Sequence, residues 1–108
     1  MANTFKSVGT SAIGTVKTTA YTAPSVTTTT VIGLSVANIL TTVTTVDIIL
    51  GKGASEFHII KNAPIMPGGT LVVVGGDQKL VLETGNTIKV VSTVAASVDV
   101  IVSILELT

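Results

Sequence analysis

The run Val98-Asp99-Val100-Ile101-Val102-Ser103-Ile104-Leu105-Glu106-Leu107 decides the fold class. Val98, Val100, Val102 and Ile104 fall on one side of an extended chain, and Asp99, Ile101, Ser103, Leu105 and Leu107 on the other. That two-residue period is the signature of a strand. Glu106 interrupts it, because it falls on the face of the apolar row. Either a bulge near Ile104 shifts the register, or protein covers both faces. Coverage of both faces points to a subunit contact.

The same period recurs upstream. Ile88, Val90 and Val94 oppose Thr87, Lys89 and Thr93, and Leu80 and Leu82 oppose Lys79, Val81 and Glu83. Thr44, Val46, Ile48 and Leu50 oppose Thr45 and Asp47, while Ile32, Leu34 and Val36 oppose Gly33 and Ser35. No eleven-residue window carries a helical period. Turn signals punctuate these runs at Thr22-Ala23-Pro24-Ser25, Gly51-Lys52-Gly53-Ala54-Ser55, Pro67-Gly68-Gly69, Gly75-Gly76-Asp77-Gln78, Glu83-Thr84-Gly85-Asn86 and Ala95-Ala96-Ser97. Such spacing predicts one all-β domain over 13–108, a jelly-roll-like β-sandwich of roughly eight antiparallel strands. Residues 1–12 are expected as an N-terminal arm or an edge strand. The Thr runs Thr27–Thr30 and Thr41–Thr45 read as strand starts with exposed hydroxyl rows. Leu71-Val72-Val73-Val74 is apolar on both faces, which a sheet-edge bulge or a subunit contact would explain.

Composition agrees. The 108 residues include 19 Thr, 17 Val and 11 Ile, the β-branched types that favour strands. Hydrophobic residues make up 46 % and charged ones only 11 %, with zero formal net charge. That combination excludes disorder, and the absence of Cys excludes disulfide and thiolate-zinc scaffolds. Scattered lysines and no Arg argue against nucleic acid. The longest apolar candidate, Val31–Leu40, is too short and too interrupted for a membrane-spanning helix. The N-terminus lacks the basic and apolar regions of an export signal, so synthesis in a cytoplasm is expected. A surface this poor in charge is expected to be covered partly by other protein.

Chemistry-bearing groups are sparse. His58, the single histidine, shares a strand face with Glu56 and Ile60 by simple alternation, and no nucleophile turn accompanies it. The carboxylates Asp47, Glu56, Asp77, Glu83, Asp99 and Glu106 are dispersed, with no calcium-loop spacing. Gly51–Ser55 departs from the phosphate-loop pattern and reads as a hairpin turn. Phe5, Tyr21 and Phe57 are too few for sugar or base stacking. Tyr21 is expected at the core edge with a solvated hydroxyl. No catalytic, metal or cofactor site is expected.

Four phrases of sequence carry a resemblance. They are Tyr21-Thr22-Ala23-Pro24; Val31-Ile32-Gly33-Leu34-Ser35-Val36-Ala37-Asn38; His58 through Gly69; and Lys79–Val90 with Val98–Glu106. Together they resemble small structural proteins of tailed-bacteriophage virions, such as those of marine and cyanobacterial phages. Asn86 stands where that family often has Asp. The resemblance implies a non-enzymatic virion component assembled in a bacterial cytoplasm, with the major capsid protein or other virion proteins as partners. Capsid decoration or cement is the expected role, and a tail, neck, baseplate or fibre adaptor or receptor-binding module is the alternative. A homo-oligomer is expected, with a trimer as its closed form. Two-face hydrophobicity nominates Phe5, Leu71, Val72, Val73, Val74, Ile101, Leu105 and Leu107 as interface residues.

Overall fold

The strands pair in nested order, the first with the last. The computed structural model describes residues 3–75 and 79–108. Its strands are β1 (Asn3–Ile13), β2 (Thr18–Thr22), β3 (Thr28–Asn38), β4 (Thr44–Lys52), β5 (Ser55–Ile65), β6 (Thr70–Val74), β7 (Leu80–Leu82), β8 (Thr87–Ser92) and β9 (Val98–Leu107). One antiparallel sheet runs β1-β9-β3-β6 with β7 also on β3, and the other runs β2-β8-β4-β5. Thus β1 meets β9, β2 meets β8, β3 meets β6 and β7, and β4 meets β5. Successive partnerships alternate between two sheets, which is the topology of a jelly-roll sandwich. The described residues form nine strands in place of roughly eight because β6 and β7 divide one strand position along β3. The described part of the N-terminal segment is the edge strand β1, and Met1 and Ala2 lie outside the described residues. So do Gly76, Asp77 and Gln78 of the turn expected after Gly75. No helix among the described residues is long and apolar enough to cross a membrane.

The core lies between the sheets. β9 contributes Val98, Val100, Val102 and Ile104; β8 contributes Ile88 and Val90; β4 contributes Val46 and Ile48; β3 contributes Val31, Leu34 and Val36. Each such side chain adds about 1.5–3 kcal/mol by leaving water. Bulges decide which side chains these are. Along β3 the partner of Val31 is Ile104 but that of Gly33 is Ser103, so Ile32 is an extra residue. Before it the odd positions Thr27, Thr29 and Val31 are buried, and after it the even positions Leu34, Val36 and Asn38. Hence Ile32 does not join the inward row that simple alternation gave it. Thr27, Thr29 and Thr44 are buried, so the Thr runs do not present only exposed hydroxyls. β4 starts at Thr44, leaving residues 41–43 outside it. β8 stops at Ser92, whose hydroxyl bonds Thr44 at 2.6 Å and Ser97 at 2.5 Å; this buried polar cluster takes the place that alternation gave to Val94.

Two aspartates fasten two further bulges. The β1–β9 register breaks between Thr10 and Ile13, and the β4–β5 register breaks opposite Asp47. Ala12 and Asn62 sit in these breaks with φ of 54° and 55°, in the left-handed region. The Ala12 N–H donates to Asp99 Oδ1 and the Asn62 N–H to Asp47 Oδ1, at 2.9 and 2.8 Å. Each carboxylate satisfies a donor that the broken ladder would leave unpaired.

Candidate functional site

Directly paired residues of neighbouring strands point to the same face of a sheet. The registers therefore lay out the outer face of the five-stranded sheet row by row. Asn3, Leu107 and Thr28 form one row, and Phe5, Leu105, Thr30 and Val81 the next. Ser7, Ser103 and Gly33 follow, then Gly9, Ile101, Ser35 and Val72. Phe5 is 72 % exposed, Val72 66 %, Val81 55 % and Ile101 53 %. Leu105 and Leu107 are half-buried among them. At the end of the face Asp99 pairs with Ala37 and Thr70 lies beyond it; Asp99 is the one charged residue at these described paired positions.

This face gathers five of the residues nominated from sequence: Phe5, Val72, Ile101, Leu105 and Leu107. Leu71, Val73 and Val74 do not join them. Val74 is a core residue, only 2 % exposed, and Leu71 and Val73 pack against that core. The cause is a bulge at Val73: Leu34 faces Val74, but Ser35 faces Val72. Two-face hydrophobicity in 71–74 thus reflects a bulge. In β9 the row Val98 to Glu106 points inward without a break, and the register shift near Ile104 belongs to the partner strand at Ile32. Val81 and Thr30 complete the face; alternation does not reveal them, since only the β3–β9 register sets Thr30 beside Leu105 and only the β3–β7 register sets Val81 beside Thr30.

The charges collect on the other side. Asp47, Glu56, His58 and Lys89 project from the outer face of the four-stranded sheet, over the buried Ile49. Glu56 accepts from Lys17 at 2.8 Å and Lys89 at 3.2 Å. These two ammonium groups, Lys17 first, hold the Glu56 carboxyl below its ordinary range. His58 Nε2 lies 3.6 Å from Asp47 Oδ2. Ile59 bulges between His58 and Ile60, so those two residues face opposite ways; simple alternation had put them on one face. Glu56 is committed to lysines, and Asp47 is the acid beside the histidine.

A third polar group is internal. Tyr21 OH donates to Glu106 Oε2 at 2.5 Å and lies 2.9 Å from Thr29 Oγ1, while Lys6 Nζ sits 2.9 Å from Glu106 Oε1. The tyrosine hydroxyl is buried, correcting the expectation that it is solvated. Burial first, and then the bond to Glu106, pushes the Tyr21 phenol up to about 12. Tyr21 first, and then Lys6, holds the Glu106 carboxyl below the usual range. Glu106 thereby closes the end of the core where the apolar row of β9 stops.

An open depression of about 410 Å³ lies beside the β1 bulge, lined by Ser11 to Val16, Thr18, Ala95 and Ala96, with no titratable side chain. No cluster of three metal-ligating side chains occurs among the described residues. No protein family, curated protein or solved structure matches this chain.

Proposed function

We propose that this protein is a non-enzymatic structural component of a bacteriophage virion, a decoration protein that cements the capsid shell. Its docking surface is the outer face of the five-stranded sheet. One observation carries the reading: Phe5, Val72, Val81, Ile101, Leu105 and Leu107 share a face on which Asp99 is the one charge at the described paired positions, while the Lys17–Glu56–Lys89 ion pairs lie on the opposite sheet. An apolar face of this kind marks a protein contact, and a charged one suits solvent. The partner is the major capsid protein or a neighbouring virion protein presenting an apolar surface. The resemblance to virion proteins supplies the particle; the fold by itself hosts many functions.

Quantitative mass spectrometry of purified virions tests this. A copy number on the order of hundreds is expected from icosahedral repetition. A count matching a tail or neck ring moves the protein off the shell, and absence from particles rejects the reading. Ile101→Asp puts a carboxylate in the middle of the face. It is expected to abolish incorporation while changing the unfolding free energy by less than about 1 kcal/mol, as for an exposed site. Unchanged incorporation rejects this docking face.

A further inference from the structure

A sheet edge offers unpaired backbone groups to any passing strand, and proteins blunt such edges with bulges, prolines, charges or short strands. Here the edges differ. β5 has two register breaks and Pro64. β2 is five residues long with a break at Ala20. β6 is five residues long and bulged, and β7 is three residues long. β1 is the exception. From Asn3 to Thr10 it pairs with β9 without interruption and contains no proline. Its single charge, Lys6, is engaged by Glu106 of the same chain.

We propose that β1 pairs with β1 of a second copy of this chain, antiparallel across a two-fold axis at Ser7. The register follows from geometry. For the two sheets to continue with their outer faces flush, odd positions must oppose odd positions. An axis at Lys6 would set two ammonium groups side by side. An axis at Phe5 would pair only Asn3 to Ser7. An axis at Ser7 uses the regular strand from Thr4 to Thr10: Ser7 meets Ser7, Lys6 meets Val8, Phe5 meets Gly9 and Thr4 meets Thr10.

That register also answers the exposure of Phe5. The ring lies over the partner's Gly9, where no side chain stands in the way, an aromatic–glycine pairing that stabilises strands. Beyond Gly9 in the same row is Ile101. Phe5 of each copy thus covers Ile101 of the other, and two of the exposed apolar side chains of the face shield each other. The two outer faces merge into one continuous, largely apolar surface. An isologous pair of this kind is self-complementary and closed. The proposal stands independently of the virion reading.

The experiment uses the full chain, which has no cysteine of its own. Native mass spectrometry is expected to give twice the 10.9 kDa chain mass. Ser7→Cys is expected to form a disulfide-linked dimer under mild oxidation, because directly paired Cα atoms lie within disulfide range. Thr19→Cys, on the exposed outer side of β2, is the control and is expected to crosslink far more slowly. Ser7→Lys is expected to return the mass to 10.9 kDa with an unchanged circular dichroism spectrum. A native monomer or trimer overturns the proposal. So does a dimer that survives Ser7→Lys and does not crosslink through Ser7→Cys.

Discussion

Val26 holds φ at 53° although it is β-branched and 86 % exposed. A side chain with two γ carbons is poorly suited to the left-handed region, and the ordinary cost there is about 1–2 kcal/mol. Val26→Asn is expected to stabilise the fold by about 1 kcal/mol on this ground, read as a higher denaturant midpoint at unchanged slope. Glu106 makes the opposite case, a polar residue that the fold uses. Its folded pKa is depressed, so its contribution is complete above the ordinary carboxylate value of about 4.3 and is lost as pH falls through and below it. Tyr21 has a raised folded pKa; its contribution is full below about 10, the ordinary tyrosine value, and is lost as pH rises towards about 12. Thermal unfolding against pH is therefore expected to show a plateau with losses at both ends. Glu106→Gln is expected to cost about 1–3 kcal/mol at neutral pH, the penalty for disturbing a buried charge-assisted bond, and to flatten the acid limb. An acid limb as steep as that of the native chain would assign the loss to other carboxylates.

At the scale of the strand, each bulge needs something to hold it. Asp99→Ala would leave the Ala12 N–H without its acceptor and loosen the end of β1. The expected cost is about 1–2 kcal/mol, with faster amide hydrogen exchange in β1 than in β3. Equal exchange in the two strands would show that the carboxylate does not secure the bulge. Bulges also mark the boundary of what the sequence reveals. The inward row of β9 is legible because it runs unbroken from Val98 to Ile104, and with it the outward placement of Ile101, Leu105 and Leu107. The inserted residues Ile32, Ile59 and Val73 are not legible. Their side chains are as apolar as their neighbours, so alternation offers no sign of where it slips. Glu106 was a visible anomaly, yet its partners Tyr21 and Lys6 lie far away in sequence, and only the β1–β9 pairing and the closure of the sandwich bring them together.

At the scale of the whole molecule, nesting determines how the chain folds. β1 joins β9, the widest separation the described strands allow, and β2 joins β8. Loop closure on that scale must precede most of the stabilising contacts, and all-β topologies of this kind fold in about milliseconds to seconds. Stopped-flow refolding of the full chain is expected in that range; a microsecond phase carrying the full amplitude would contradict the nested order. The segregation of charge acts at the same scale. Salt is expected to leave the apolar face largely unaffected while screening the Lys17–Glu56–Lys89 pairs, which are partly exposed and contribute little to stability. Added salt should therefore leave self-association intact, as judged by sedimentation; dissociation by salt would indicate that the charged sheet makes the contact.

β9 lies between β1 and β3, and of the nine strands it is the last to be synthesised. A ribosome adds about 5–20 residues per second. For several seconds, then, β1 and β3 wait in the nascent chain without the strand that joins them, with Val31, Leu34 and Val36 uncovered. During that interval the polypeptide is a substrate for chaperones and a target for aggregation, whatever the stability of the finished sandwich. The yield of folded protein in a cell should thus respond to elongation speed through the codons of β9 more than to substitutions that strengthen the completed core.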